Sequence, residues 1–156
     1  MIPHRSIRTA ARAIVICGGK LLAVKMKDKR GVYYILPGGG QKHGENLHET
    51  LVRECKEEVG VEVKIGPLLY AREYIGRNHD FNRRHKNFHQ LEHVFRCEID
   101  DPHAICSGSE TDNLQIGVAW LDLANIDNIA FFPAVIKPFF TENDIVVPTT
   151  YLGDCN

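Results

Sequence analysis

Apolar and polar positions along the 156-residue chain follow two different periods. Near the start, AIVIC (13–17) and LLAVKM (21–26) are β-rich runs separated by GGK (18–20), which predicts a β-hairpin. VYYIL (32–36) predicts a short strand that runs into the turn-rich PGGG (37–40). From Leu47 the period becomes helical: Leu47, Leu51, Val52, Cys55 and Val59 form one apolar stripe. Asn46 followed by Glu49 matches a capping box, and Gly60 sits where a glycine ends a helix, so the spacing predicts a helix over 47–59. VEVKI (61–65) and LLYAREYI (68–75) read as strands. LEHVFRCEI (91–99) alternates, with Leu91, His93, Phe95, Cys97 and Ile99 on one side and Glu92, Val94, Arg96 and Glu98 on the other. IGVAWLDL (116–123) predicts a further strand. PAVIKPFF (133–140) predicts a short or kinked helix, because Pro133 suits a first turn and Pro138 interrupts an interior. DIVV (144–147) reads as a last strand or an irregular tail. Strands interleaved with two helices predict an α/β fold with a mixed sheet. The early hairpin argues against a purely parallel, doubly wound arrangement.

Composition narrows the class. At 44% hydrophobic and 25% charged residues, the chain has the make-up of a globular protein large enough for a real core. No repeat, low-complexity tract or linker divides it, so a single domain over 1–156 is expected. A net charge of −1 offers no global field for nucleic acid or membrane. No apolar run approaches the roughly 20 residues that span a bilayer, and the first ten residues lack a signal-peptide core, so a cytoplasmic location is the default expectation. The five cysteines are scattered, odd in number and without a CxxC pair. That argues against a disulfide framework or a zinc–cysteine site, and Cys17, Cys55 and Cys97 read as small core residues.

The candidate chemistry lies on the predicted helix. RECKEEVG (53–60) places Glu54, Glu57 and Glu58 at relative positions i, i+3 and i+4, where like charges repel by a few tenths of a kcal/mol per pair. At 100° per residue, Glu54 and Glu57 fall just outside the apolar side, whereas Glu58 projects into it. A solvated face accounts for Glu57 alone. A glutamate aimed at the core side is costly unless paired or bound to a metal. Clustered carboxylate oxygens suit hard ions such as Mg²⁺ or Mn²⁺ rather than zinc. Upstream, PGGGQKHGE supplies glycines that let backbone approach a neighbour or ligand closely, although a plain turn would use the same residues.

Taken together these residues form a longer pattern. Gly39, five residues, Glu45, seven residues and then Arg53-Glu54-Cys55-Lys56-Glu57-Glu58-Val59-Gly60-Val61 resembles the Nudix (MutT-like) hydrolase signature at every fixed position. Cys55 fills a slot that usually holds a larger aliphatic residue. Pro37-Gly38-Gly39 matches the family's lead-in, and ARAIVICGGKLLAVKM and AWLDLANI look like its first hairpin and late Trp-containing strand. The resemblance implies an α/β/α sandwich with a mixed β-sheet, in which the motif forms a loop-helix-loop. It implies divalent-cation binding by Glu54, Glu57 and Glu58, with Glu54 and Glu57 central to catalysis. It pairs Glu45 with Arg53, orienting the helix carboxylates, and it puts Gly39, with Gly40 beside it, in the loop that shapes the substrate site. The implied reaction is hydrolysis of a nucleoside diphosphate linked to a further group X, with Mg²⁺ or Mn²⁺ as cofactor. It would release a nucleoside monophosphate and phosphate-X or pyrophosphate. A hard cation on a diphosphate neutralises the charge that develops there. The proton acceptor in this family often comes from outside the motif.

Other residues have competing readings. Glu92, on the more polar side of its strand, reads either as a fourth ligand or base aimed at the helix carboxylates or as a surface charge. Glu110, in GSETDN, is a loop alternative. His85, His89 and His93 recur every four residues, but the strand pattern from Leu91 contradicts a helical metal face and favours surface or substrate contact. The basic segment 76–90, with Arg77, Arg83, Arg84 and Lys86, reads as a solvated loop or as a lid whose Arg77 and Arg84 contact substrate phosphates. YIGRNHD carries no proline at the position where ADP-ribose enzymes of the family often have one, which lowers that substrate. A small nucleotide derivative is the expected partner, with membrane absent, nucleic acid disfavoured and a homodimer left open. A nucleotide-sensing domain without turnover and an RNA-end-processing enzyme are the alternatives. The intact glutamate and arginine set argues against the first, and the near-neutral charge against the second.

Overall fold

A computed structural model describes residues 5–79, 85–108 and 114–156, and among these the two periods fold into two mixed sheets and one α-helix. Arg84 and Glu110, two of the candidate residues, lie outside the described residues. In sheet order, the first sheet consists of β10 (Tyr151–Asp154), β6 (Lys64–Ile75), β7 (His89–Glu98), β1 (Arg8–Ile14) and β5 (Gly38–Gly40). Pairing is parallel for β10 with β6 and for β7 with β1, and antiparallel for β6 with β7 and for β1 with β5. The second sheet joins β2 (Ile16–Cys17), β3 (Lys20–Asp28), β4 (Gly31–Ile35) and β9 (Phe131–Phe132), with β8 (Gln115–Asp122) on β3. The fold is therefore α/β with a mixed sheet, as the pattern predicts.

The predicted helix is α1, Leu47–Val59, with the expected ends. The Asn46 side chain accepts from the Glu49 backbone N–H, and the Glu49 carboxylate accepts from the Asn46 N–H. Gly60 takes φ 73° and returns its N–H to the Cys55 carbonyl. Leu51, Cys55 and Val59 pack against Ala11, Ala13 and Val15 of the first strand and its continuation, and against Phe95 and Cys97 of β7. Ile14 and Val94 point the other way, into a second core with Tyr70, Phe131 and Ile136. Both faces of β1 and β7 are thus covered, and strand alternation puts Arg12 and Glu92 on the side away from α1.

Several predicted boundaries shift. The hairpin turns at Gly18 and Gly19, both with positive φ, but joins only Ile16–Cys17 to β3. Ala13 and Ile14 belong to the other sheet, because the chain crosses between sheets at Val15. The two strands expected over 61–75 are one, with register shifts between Ile65 and Tyr70. The 133–140 segment is a 3₁₀ turn (Ala134–Phe139), as befits an interior Pro138, so the second helical layer of the expected sandwich is a 3₁₀ element here. The 144–147 segment is irregular apart from a bridge between Phe140 and Ile145, and the last strand is β10 instead. The cysteines are free, with Cys55 and Cys97 buried and Cys17 partly so. Among the described residues no helix is long and apolar enough to cross a membrane.

The capping box carries a measurable share of α1. Asn46→Ala removes the acceptor for the Glu49 N–H, and urea denaturation is expected to show a loss of about 1 kcal/mol.

Candidate active site

Three glycines and a helix face make the site. β5 runs antiparallel to β1, with Ala11 opposite Gly39 and Arg12 opposite Gly38. A Cβ on Gly39 would lie 2.6 Å from the Glu54 carboxyl carbon, so α1 can lay that carboxylate on the strand only over a bare backbone. Gly38 has φ 134°, and a Cβ there would meet the Ala11 carbonyl oxygen at 2.1 Å. These two positions explain the glycine run: the strand is a seat for acidic side chains.

The glutamate that projects toward the core finds its partner in this strand. Glu58 is 8% exposed, and its Oε2 accepts from the Gly38 N–H at 2.9 Å. That contact meets part of the cost of burying it. Glu54 and Glu57 remain at the surface of the cluster and are organised by Arg53. The Arg53 Nε and Nη2 donate to Glu45 Oε1 and Oε2 at 2.6 and 2.9 Å, a bidentate pair. Its Nη1 donates to Glu54 Oε1 at 2.8 Å and to Glu57 Oε2 at 3.3 Å, and Nη2 also donates to the Gly40 carbonyl at 3.1 Å. One guanidinium thus binds the pre-helix loop, the helix and the glycine strand together. The hydrogen bond from Arg53, with help from the Lys42 backbone N–H, holds the Glu45 carboxyl down to about 2. The same bond raises the Arg53 pKa.

The arrangement offers a divalent cation a particular kind of seat. Among the described residues no group of three His, Cys, Asp or Glu side chains converges into a ready cage. Arg53 occupies Glu54 Oε1 and Glu57 Oε2, and Glu58 Oε2 is turned to Gly38. Mg²⁺ keeps several waters and is usually held by one or two carboxylates plus substrate phosphates rather than by an all-protein cage. The donor set fits such an ion and fits zinc poorly, since among the described residues no thiolate or imidazole joins it.

Behind the glycine strand lies a cleft of about 170 Å³ between the two sheets. Tyr33, Phe132, Tyr74, His85 and Phe88 give it aromatic walls. Its floor is a charged knot: Glu92, 3% exposed, accepts from Arg12 Nε at 2.8 Å and from Arg72 Nε at 2.6 Å, while Gln90 donates to the same carboxylate at 3.1 Å. Burial alone would raise the Glu92 pKa, but the charges of Arg72 and Arg12 overcome it and hold the carboxyl at about 2. Arg12 continues to the first cluster, its Nη1 donating to the carbonyls of Leu36 and Gly38 at 3.1 and 2.7 Å. Cleft and carboxylates therefore meet at Gly38, whose C=O serves Arg12 and whose N–H serves Glu58.

Each expected site residue has a definite place. Glu45, Arg53, Glu54, Glu57, Glu58, Gly39 and Gly40 come together. Glu92 does not join them. It sits on the sheet face opposite α1 and is neither a surface charge nor aimed at the helix carboxylates, because two strand arginines enclose it. Arg77 is exposed on the 3₁₀ turn Gly76–Asn78 and does not line the cleft. His85 lines the cleft and bonds the Tyr74 hydroxyl at 3.0 Å, and His89 bonds Glu73 at 3.0 Å. Arg12, Arg72 and Gln90 are the site residues that sequence reading passed over. Strand alternation gives each of them a side but not what covers it, and only the pairing of β1, β7 and β6 brings them together.

The knot has a pH signature. A carboxyl whose folded pKa is depressed stabilises the protein above its unfolded value, and that stability is lost as pH falls toward the folded value. For Glu92 the window runs from 4.5 down to about 2. Glu92→Gln leaves the buried Arg72 and the largely buried Arg12 guanidinium without their anion, and denaturation at pH 7 is expected to show a loss of about 3–5 kcal/mol. The gap between wild type and variant is expected to narrow through that acid window; a gap independent of pH contradicts the ion-pair assignment.

The chain and its fold have counterparts elsewhere. A family model described as the NUDIX domain matches residues 7–141. The nucleoside triphosphatase NudI of Enterobacter sp. (strain 638) is 39% identical over 61 residues, which is 37% of this chain and 43% of that protein. The alignment thus spans less than half the length of that relative. NudI of Escherichia coli O139:H28 (strain E24377A / ETEC) is 29% identical over 96 residues, 58% of this chain and 67% of its own. A NUDIX hydrolase structure from Nitrosomonas europaea superposes with a TM-score of 0.67 at 16% identity, covering 85% of each chain. The MutT protein from Methanosarcina mazei Go1 gives 0.64 at 17%, covering 86% of this chain and 91% of that one. At such identities the structures share the fold alone. It is the family model, running through both sheets, the glycine strand and α1, that decides the matter: this chain belongs to the NUDIX domain family.

Proposed function

We propose that residues 1–156 form one hydrolase domain that cleaves a phosphoanhydride bond in a nucleoside diphosphate carrying a further group X, with Mg²⁺ or Mn²⁺ as cofactor. The observation that carries this reading is the Arg53 hub, which holds Glu45, Glu54, Glu57 and the Gly40 carbonyl on one guanidinium. Carboxylates that only solubilised a helix would not be tied to a strand whose glycines leave room for them. Glu54, Glu57 and Glu58 would hold the ion, which when bound neutralises charge on the diphosphate and acidifies water.

The chain's own groups do the rest. Arg53 and Glu45 fix the carboxylates in advance, so that little reorganisation is needed during reaction. The aromatic cleft takes the base or X by stacking, and the guanidiniums of Arg12 and Arg72 give it a cationic floor only partly neutralised by Glu92. Glu92 itself is too well paired to accept a proton at neutral pH. A cytoplasmic setting and a small-molecule partner fit this reading. The nucleoside triphosphatase relatives make nucleoside triphosphates, in which X is phosphate, the first substrates to test.

The test is a nucleotide panel assayed for phosphate, pyrophosphate and monophosphate release, with Mg²⁺, with Mn²⁺ and with excess EDTA. Turnover is expected with either ion and none in EDTA. Glu57→Gln is expected to lower kcat by about 100-fold or more, the scale of losing a main electrostatic contributor, while leaving the folded protein at least as stable. Binding without turnover across the panel would favour a nucleotide sensor.

A further inference from the structure

The family match stops at residue 141, yet the chain beyond it returns to the cleft. β10 adds in parallel to the edge of β6, with Tyr151 opposite Ala71 and Asp154 opposite Glu73. It is a short strand containing Gly153 at φ 75°, and side chains anchor it at both ends. At one end the Tyr151 hydroxyl bonds the Glu73 carboxylate on the exposed edge. At the other, Asp154 is a three-way acceptor. Its Oδ1 takes the Ile75 N–H at 2.9 Å and faces His79 Nε2 at 2.7 Å, and its Oδ2 takes Asn78 Nδ2 at 2.7 Å.

Both consequences of this anchor point into the cleft. His79, held by Asp154, stacks on Tyr74 with ring centroids 4.9 Å apart and planes 15° apart, and Tyr74 is a cleft wall. The next residue, Cys155, accepts from Arg72 Nη1 at 2.5 Å through its carbonyl and returns its own N–H to the Glu73 carbonyl at 3.1 Å. Arg72 is thereby gripped on two sides, by Glu92 and by the Cys155 carbonyl, with its guanidinium plane fixed at the cleft floor. Asn156 then lines the cleft directly.

We propose that residues 154–156 are a positioning clamp for the cleft, with Asp154 as its anchor, so that this segment governs how tightly the nucleoside end is held rather than how fast the anhydride is cleaved. The proposal rests on the reading of the cleft as the nucleotide's seat. Asp154 touches neither the α1 carboxylates nor the cleft itself; it acts through His79–Tyr74 and through Cys155–Arg72. A purely structural strand would affect stability without separating binding from turnover.

The experiment compares wild type, Asp154→Ala and Tyr151→Phe. Steady-state kinetics are run on the panel, and calorimetric titration with AMP, GMP, CMP and UMP needs no turnover. Asp154→Ala is expected to raise KM, and the Kd of the tightest monophosphate, about tenfold with kcat within about twofold, the scale of one lost charge-assisted anchor. Tyr151→Phe, which loosens the same strand away from the cleft, is expected to change neither. If Asp154→Ala does not fold, His79→Phe keeps a ring on Tyr74, loses the Asp154 contact and is expected to raise the Kd by a smaller factor. An unchanged Kd in whichever of these folds overturns the clamp. So does a fall in kcat at constant KM, or an equal rise in KM for Tyr151→Phe. Wild-type protein that binds a monophosphate but cleaves nothing contradicts the hydrolase reading, and the Kd arm still decides the clamp. Wild type that binds no monophosphate overturns the clamp.

Discussion

The guanidinium of Arg53 is the contact on which the rest of the site depends. It is planar and always charged, and its donors are arranged as a rigid fork. Here the fork spans Glu45 before the helix, Glu54 and Glu57 on it, and the Gly40 carbonyl on the strand beneath. Without it, glutamates at i, i+3 and i+4 would repel one another and spread into solvent. With it, the acidic face stays assembled at a charge density that the protein alone would not favour. An excess of negative charge around a single arginine is what a divalent cation would complement.

A second knot, Arg12–Glu92–Arg72, does for the cleft what Arg53 does for the helix. It crosses β1, β7 and β6 with Glu92 and Arg72 buried and Arg12 largely so, and its cost of desolvation is met by close pairing. Arg12 links the two knots through the carbonyl of Gly38, and Glu58 meets the same residue from the helix side. The glycine strand is therefore a shared wall. One face bears the carboxylates, and its backbone polar groups are divided between the helix and the cleft. This geometry gives a physical reason for a glycine-rich lead-in that the turn reading alone does not.

What could be read from sequence was what is local. The ends of α1 follow from Asn46, Glu49 and Gly60, all within a turn of the helix they close, and the helical angle of Glu58 is enough to place it toward the core. The Glu45–Arg53 pair was legible through the motif's resemblance to a known signature. The second knot was not, because Arg12, Arg72 and Glu92 are brought together by pairing of strands far apart in the chain, and alternation tells only that a residue has a side, not what covers that side. Glu92 illustrates the gap: its side was called polar, yet Val94 on the same side is buried in a core and Glu92 is enclosed by arginines. β10 was missed for a related reason. Four residues with an internal glycine carry almost no β signal, and the strand is held by Asp154 and Tyr151 rather than by its own propensity.

The central claim is that Arg53 and Glu45 act as one unit that positions the α1 carboxylates. A double-mutant cycle of wild type, Arg53→Lys, Glu45→Gln and the combined variant, measured by kcat and KM on the preferred nucleotide, tests it most directly. Lysine keeps the charge and loses the fork, and glutamine keeps the shape and loses the charge. Each single change is expected to lower kcat by up to about 100-fold with KM within a few-fold, since small misplacements of catalytic groups are costly. The double variant is expected to be little worse than either single one, because coupled residues do not add. Fully additive losses would contradict the account.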